Sequence, residues 1–421
     1  MRTAPTVTPR RRLGSRWVPT GPRAWLWVPL SIYLLTRIVT VIVVSIQQRD
    51  QIALPFPNAI IRIPFPQAEA PGYFDAMTNW DGQWYQLIAT SGYPHELPRA
   101  WDGSVDMSPW AFYPVFPLST RALMAVTGQS FDVVGTTWAA IVGAVAMVLL
   151  FRFVDSAVGR WEACVTVVAT STYVAAPILQ ASYTESFALL ILVICLSLLR
   201  DRRYGWLVVA LVAMALTRNI VFVMAPVIAT HGIVAYRDRV LRPFPRRQQL
   251  AVAGTAVLAF LLTWLWPVIV GLSTGIPDAY NQTMAAWRIE ALELKLGIWW
   301  DFLYLNYGIA GQVLGPLVVI AFTWFMLSRH SWRWGPEIWG WAGAYPAYIL
   351  LVTTSGPSRM RYALLAWPFA LIIAQVLDLP WWRRWRWWLL GLIAVAGMVQ
   401  QAWYTQNVIL ITHLDGVVYY P

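Results

Sequence analysis

The sequence predicts an all-α polytopic membrane protein, and two observations support this fold class. Of the 421 residues, 58% are hydrophobic and only 12% are charged, whereas about 25% of the residues in a soluble domain are charged. Apolar stretches recur along the chain with short polar gaps between them. At about 20 residues per crossing, we expect about 9 to 11 transmembrane segments. A soluble globular protein is excluded.

The first transmembrane helix is predicted over residues 25–46, after a basic arm over residues 1–24 that is rich in arginine and proline. No small-residue cleavage site follows this helix, which favours an uncleaved membrane anchor over a removed signal peptide. A multi-helix transmembrane region is predicted over residues 131–411. Its apolar segments lie near residues 131–151, 162–180, 184–200, 205–236, 248–271, 302–327, 337–354, 361–378 and 388–411.

Arginine clusters between these segments predict the orientation of the chain, because cytoplasmic turns carry an excess of basic residues. The clusters lie in the basic arm and near residues 152–160, 200–203, 237–247, 329–333 and 383–386. They leave a long loop over residues 47–130 and a tail over residues 412–421 on the extracytoplasmic side. Most of the acidic residues are then also outside. The net charge of +11 would suit nucleic acid, but the apolar segments make membrane lipids the expected partner and exclude nucleic acid.

The interval between residues 204 and 236 has cytoplasmic arginines at both ends, although it is too short for two full crossings. We therefore expect two short helices that enter the membrane and return, with Arg218 and Asn219 at the bend. Such interrupted helices occur where protein or a water-filled cavity surrounds them.

The long loop contains an apparent amphipathic helix over residues 79–89. Trp80, Trp84, Leu87 and Ile88 fall on one face, which suits a helix that lies on the membrane surface. Asp81 would then be held just above the bilayer, where the head group of a lipid-linked substrate lies. The alternative is that Asp81 caps a helix that begins at Gly82.

A second element of the loop runs from Trp110 to Leu118 and continues to Gly128. Pro114 and Pro117 argue against a regular helix before Leu118. The sequence therefore predicts a surface elbow that leads into a short helix.

Several motifs resemble one family. The run from Trp80 to Tyr85 (Trp-Asp-Gly-Gln-Trp-Tyr) and the run from Ala111 to Leu118 are similar to motifs of the PIG-V-type mannosyltransferases, members of the GT-C superfamily. Shorter matches are Ser182–Ser186, Ala215–Asn219, Ala279–Tyr280 through Trp287–Arg288, and Arg361–Tyr362. Because 30 of the 31 basic residues are arginine, which is typical of GC-rich coding, a bacterial and specifically actinobacterial member is expected.

The resemblance implies a GT-C-like helical bundle with a long first extracytoplasmic loop. It also implies transfer of a mannosyl residue from a polyprenyl-phosphate donor to an extracytoplasmic glycolipid or glycan, with inversion at the donor carbon. By match to the family's Trp-Asp motif, Asp81 is the general base. Residues expected to bind substrate are Asp75, Trp80, Tyr85, Tyr183, Glu185, Arg218, Arg288, Arg361 and Tyr362.

For most of these residues the sequence leaves a structural alternative open. Arg218 could bind phosphate, since a guanidinium pairs with two oxygens at once, or pair with Glu185 or a backbone carbonyl. Arg361 and Arg288 could bind phosphate or extend towards the interface. Glu185 could bind hydroxyls or simply suit the start of a helix. Arg37 is expected to pack against another helix.

No cofactor is expected. Many GT-C branches carry paired acids in this loop, whereas Asp81 is followed by Gly82, and the histidines show no zinc spacing. The sequence also shows no glycine-rich phosphate-binding loop on the cytoplasmic side, and this argues against a nucleotide-sugar donor. A lipid or glycan transporter, or flippase, is the alternative function, and a non-catalytic scaffold for envelope assembly is a third.

Overall fold

The fold was analysed in a computed structural model that describes residues 21, 23–54, 63–287, 296–352 and 358–412. Within these ranges the regular elements are helices, and the only β-pairings are isolated bridges between Leu54 and Gln67 and between Arg99 and Val105. The all-α fold class is therefore confirmed. Residue 22, most of the predicted basic arm, the predicted tail beyond residue 412 and Arg288 lie outside the described residues.

The first half of the chain forms nine α-helices, which end with the interrupted pair. They are α1 Ala24–Gln47, α2 Tyr73–Ala76, α3 Asp81–Ser91, α4 Val115–Thr127, α5 Phe131–Ala157, α6 Arg160–Thr172, α7 Glu185–Arg200, α8 Tyr204–Ala215 and α9 Met224–Arg237. Short 3₁₀ turns occur at Gln48–Asp50, Pro109–Ala111, Ala176–Gln180, Val221–Val223 and Asp238–Val240.

The second half adds the remaining helices of the described chain. They are α10 Arg246–Leu261, α11 Leu265–Thr274, α12 Ala279–Ala286, α13 Leu296–Met326, α14 Arg329–Trp332, α15 Pro336–Val352, α16 Ser358–Tyr362, α17 Phe369–Leu377 and α18 Arg386–Tyr404. Further 3₁₀ turns are Leu262–Trp264 and Ala363–Leu365, and a π-helical turn spans Thr405–Ile409.

Four helical stretches of the described chain are long and apolar enough to cross a membrane: Ala24–Asp50, Phe131–Ala157, Arg246–Thr274 and Tyr307–Met326. The bent pair Ser358–Leu365 and Phe369–Leu377 would be a fifth. The chain is thus an all-α polytopic membrane protein. The expected 9 to 11 segments also include shorter helices such as α7 and α15, and that larger number stays a prediction.

Helix α5 lies at the centre of the bundle, where it packs against α1, α6 and α7. Its side chains Met147, Leu150 and Phe151 are fully buried. Arg37 of α1 is also buried and donates hydrogen bonds to the carbonyl of Ala176 and, at 2.8 Å, to that of Ser171. Ser171 is in the last turn of α6 and Ala176 begins the 3₁₀ turn that follows, so Arg37 joins helices as the sequence predicted.

The interval between residues 204 and 237 contains two short helices, α8 and α9, as predicted. The break between them includes Arg218 and Asn219. The outer ends of the pair lie together, because the Tyr204 hydroxyl is 3.3 Å from Nε2 of His231. The chain therefore enters the bundle along α8 and returns to the same end along α9.

Two predictions for the long loop are wrong in detail. Trp80, which precedes α3, and Trp84 and Ile88 of α3 are buried in a cluster with aromatic residues of α4 and α5, so their face meets protein rather than a membrane surface. Helix α4 begins at Val115, before the predicted limit of Leu118. Pro117 is accommodated because the amides of a first helical turn have no partner within the helix.

Candidate active site

Four charged side chains that are far apart in the sequence meet in one ionic cluster. Nη1 of Arg361 donates a hydrogen bond of 2.6 Å to Oδ2 of Asp81. Nε of the same arginine lies 3.0 Å from Oε1 of Glu185. Nη1 of Arg218 pairs with that same Glu185 oxygen. With two carboxylates and two guanidinium groups, the cluster is charge-balanced, which is the usual condition for burying ionic groups.

The elements that supply these residues place them around one point. Asp81 is the first residue of α3 and Glu185 is the first residue of α7. Arg218 lies in the break after α8, and Arg361 is on α16. The start of a helix favours a negative side chain, and both carboxylates occupy such a position.

Burial distinguishes the two acids. The Glu185 side chain is 1% exposed and that of Arg361 is 6% exposed, whereas the Asp81 side chain is 27% exposed. Arg218 is intermediate at 16%. A ligand can therefore reach Asp81 without displacing protein, and Glu185 is positioned to hold the two arginines.

Aromatic rings line the guanidinium groups of the cluster. The Tyr362 ring is 4.6 Å from the guanidinium carbon of Arg218 and 5.3 Å from that of Arg361. The Tyr183 ring lies 5.2 Å from the Arg361 carbon. Such cation–π contacts add to the ion pairs and restrict the planes of the arginines.

Tyrosine hydroxyls tie α3 to the start of α7. The Tyr183 hydroxyl donates to the carbonyl of Asn79 at 2.8 Å. The Tyr85 hydroxyl, 3.5 Å from Oγ1 of Thr184, is buried beside Asp81, and burial followed by that negative charge raises its pKa above its usual range. Tyr85 therefore stays neutral and acts in the site through hydrogen bonds.

The backbone that presents Asp81 is strained. Trp80 has φ of +59°, a conformation that is a genuine outlier for a bulky residue. It is held there by its indole Nε1, which donates a 2.8 Å hydrogen bond to the carbonyl of Ile409. Nδ2 of Asn79 donates to the same carbonyl at 3.1 Å. Strained residues of this kind concentrate at functional sites.

The capping alternative for Asp81 is wrong. Helix α3 begins at Asp81 itself, and its N-cap residue Trp80 makes no capping hydrogen bond through its side chain. Oδ2 of Asp81 instead accepts from Arg361. The long-range partner has therefore replaced the local one.

The structure brings most of the predicted site residues together. Asp81, Glu185, Arg218 and Arg361 form the cluster, with Tyr183 and Tyr362 against it and Tyr85 beside it. The sequence leaves two roles open for Arg218, and in the structure this residue pairs with Glu185. The Arg361 side chain is buried rather than extended towards the membrane interface. Trp80 is buried beneath the site, where it supports the backbone.

Asp75 and Arg288 are not part of the described cluster. The Asp75 side chain is exposed on α2, and partial burial together with the neighbouring Asp132 raises its pKa. The like charge that acts on it is thus on α5, and the expectation that Asp75 lines the pocket of Asp81 stays a prediction. Arg288 lies outside the described residues.

The π-helical turn after α18 is a part of the site that sequence reasoning missed. It contains Ile409, whose carbonyl anchors Asn79 and Trp80. Just before it, Tyr404 is fully buried, and its hydroxyl has no hydrogen-bond partner among the described residues. The sequence marks this turn only by a polar Thr-Gln-Asn run inside an apolar segment, which is too weak a pattern to identify it.

Among the described residues, no group of three or more His, Cys, Asp and Glu side chains could hold a metal ion. Of the histidines, His231 is buried, with its Nδ1 2.5 Å from Oε1 of Glu337. Because Glu337 is on α15, this pair joins α9 to α15.

Comparison with known proteins finds similarity to solved structures. No protein-family model matches the chain, and no curated protein matches it. A crystal structure of the Archaeoglobus fulgidus oligosaccharyltransferase in complex with Zn and sulfate is similar, with a TM-score of 0.45 and 15% sequence identity. The match covers 89% of this chain and 53% of the archaeal chain, so the protein spans about half the length of that enzyme.

Proposed function

We propose that the protein is a membrane glycosyltransferase of the GT-C type. It moves a mannosyl residue from a polyprenyl-phosphate donor to an extracytoplasmic glycolipid or glycan acceptor, with inversion. The observation that carries the proposal is the ionic cluster itself. Asp81 and Arg361, which are separated by 280 positions, belong to different motifs that resemble one family, and they meet in a single buried site.

In this reaction Asp81 is the general base. One of its carboxylate oxygens takes the proton of the acceptor hydroxyl as the hydroxyl oxygen bonds to the anomeric carbon. The bond between that carbon and the phosphate oxygen breaks, and its electron pair leaves with the polyprenyl phosphate. Attack from the face opposite the leaving group inverts the anomeric centre.

The arginines stabilise the charge that develops on the leaving phosphate. In the described structure Nη1 of Arg361 is hydrogen-bonded to Oδ2 of Asp81, so this carboxylate oxygen is already engaged. A donor phosphate that binds Arg361 would draw it from Asp81 and so release the base. This exchange predicts that the donor binds before the acceptor hydroxyl is activated.

Glu185 acts through the arginines. Because it is buried and binds both guanidinium groups, it keeps them in place when Asp81 is released. We therefore assign it a positioning role. Tyr183 and Tyr362 restrict the same two guanidinium groups.

Transfer by the purified protein in lipid nanodiscs tests the proposal. Polyprenyl-phosphate mannose and a nucleotide-linked mannose are offered separately with a membrane glycolipid extract, and products are identified by mass spectrometry. A new product from the lipid-linked donor alone, with an inverted linkage, is expected. Product from the nucleotide sugar alone would contradict the proposal. Movement of a glycolipid across the bilayer without a new bond would also contradict it and favour a flippase. Envelope glycans of a deletion strain then name the sugar and the acceptor.

A further inference from the structure

A large cavity opens along α3, the helix that begins at Asp81, and none of the four residues of the ionic cluster is among its lining residues. Its volume is about 920 Å³, within the range of about 300–1,000 Å³ that is typical of ligand pockets. Trp84, Leu87 and Ser91 of α3 line one side, and Thr274 and Ile276 at the end of α11 line another. The cavity is thus bounded by the long loop and the end of a bundle helix.

The cavity follows α3 away from Asp81. Trp84 lies three residues after Asp81, on the adjoining turn of the same helix, where side chains are neighbours. From Trp84 to Ser91 the helix rises by about 10 Å at 1.5 Å per residue. A ligand in the cavity could therefore reach the carboxylate with one end while its body extends along α3.

The lining combines aromatic, apolar and charged side chains. Tyr93 stacks on Trp110 with ring centroids 4.4 Å apart, and Trp84 contacts Phe112, so these rings are held in fixed orientations. Glu96 and Arg99 contribute exposed charges. Rigid aromatic and apolar walls with a few polar groups are typical of sites that hold an amphipathic ring. Sugar rings have this character, with apolar C–H faces and polar hydroxyl edges.

We infer that this cavity binds the acceptor as an oligosaccharide, so that the terminal sugar reaches Asp81 and the preceding sugars lie along α3. The inference rests on the proposed function, because it names the substrate of that reaction. Two observations favour a glycan over the lipid chain of the donor. Most of the lining comes from the loop between residues 64 and 109 rather than from the middle of long apolar helices, and charged residues stand at its edge.

Two adjacent exposed residues at the end of α3 provide a matched pair of variants. Ser91 lines the cavity, whereas Thr90 does not. The indole of Ser91→Trp would fill part of the cavity, and that of Thr90→Trp would not. Glu96→Ala is a milder second variant at an exposed position, and thermal unfolding of each variant shows that it is folded.

The first measurement is binding without turnover. Saturation-transfer NMR is recorded on the full-length protein with an octyl trimannoside and no donor. Binding to wild type and to Thr90→Trp, with weakened binding to Ser91→Trp and to Glu96→Ala, is expected. Equal binding to all four proteins, or no binding to wild type, would overturn the inference.

The second measurement is transfer to octyl monomannoside and octyl trimannoside. Ser91→Trp is expected to raise KM for the trimannoside by about tenfold, which corresponds to the loss of a modest contact, and to leave the monomannoside unchanged. A rise in KM for the polyprenyl donor instead would assign the cavity to lipid. If no acceptor is glycosylated while NMR shows binding sensitive to Ser91, the proposed function has failed and the glycan site has not.

Discussion

At the scale of single residues, Glu185 connects the site. Its Oε1 atom meets both Arg218 and Arg361, while its other carboxylate oxygen is buried with no hydrogen-bond partner among the described residues. Removing one partner of a buried ion pair leaves an uncompensated charge, which is far more costly than losing a surface pair.

Glu185→Gln is therefore expected to destabilise the protein by about 3–5 kcal/mol, because it leaves both arginines with too little negative charge nearby. The loss would be measured as a fall in the unfolding temperature of the detergent-solubilised protein. Glu69→Gln, at an exposed position, is the control. Equal unfolding temperatures for the two variants would show that the cluster contributes nothing to stability.

The sequence identified the residues of the site better than it identified their partners. Asp81, Glu185, Arg218 and Arg361 are in motifs that can be read locally. The Arg361–Asp81 pair could not be predicted, because it depends on how α16 is placed against α3. The same limit explains the error for Trp80 and Trp84, since an apolar helix face does not reveal whether lipid or protein covers it.

At the scale of elements, the close approach of helices α6 and α18 depends on a glycine. A Cβ atom on Gly397 would contact the carbonyl oxygen of Thr172 at the end of α6, whereas one on Gly391 of the same helix would meet nothing within 4 Å. The two glycines thus form a natural comparison on one helix.

Gly397→Ala is expected to destabilise the protein by about 1–3 kcal/mol, because a backbone carbonyl cannot move aside as a flexible side chain can. Gly391→Ala is expected to be neutral or to stabilise by up to about 1 kcal/mol through helix propensity. Unfolding temperatures in detergent measure both effects. If Gly397→Ala matched or exceeded Gly391→Ala in stability, the described packing of α18 on α6 would be wrong.

The elements themselves were largely predictable from the apolar pattern. The segment expected over residues 25–46 is α1 Ala24–Gln47, and the expected interruption at Arg218 separates α8 from α9. The start of α4 at Val115 differs from the prediction because a proline such as Pro117 breaks the interior of a helix but is tolerated in its first turn. The π-helical turn at Thr405–Ile409 has no periodic pattern of its own, so the sequence could not reveal it.

At the scale of the whole molecule, transfer to an extracytoplasmic acceptor requires the ionic cluster to face the extracytoplasmic side. The arginine pattern predicts this orientation, and with it the division into arm, first helix, loop, multi-helix region and tail. The described structure supplies well-placed reporters for both sides. Trp101 in the loop is 99% exposed, and Val240 in the turn after α9 is 89% exposed.

Trp101→Cys is expected to react with a membrane-impermeant maleimide in intact cells, and Val240→Cys only after the cells are opened. The native cysteines Cys164 and Cys195 are both buried, so the unmodified protein gives the background. The reverse pattern would place the loop in the cytoplasm and would remove the proposed access of Asp81 to an extracytoplasmic acceptor.

The most direct test of the central claim is mannosyl transfer from polyprenyl-phosphate mannose by wild type and by Asp81→Asn, compared at equal amounts of folded protein in membranes. Asn keeps the size of the side chain but cannot take a proton. We expect the rate of transfer by Asp81→Asn to fall by at least about 10²-fold, in the range typical of removing a general base. The variant is expected to unfold at a temperature above that of the assay, so that it is folded when transfer is measured. Transfer at the wild-type rate would show that Asp81 is not the base and would contradict the account.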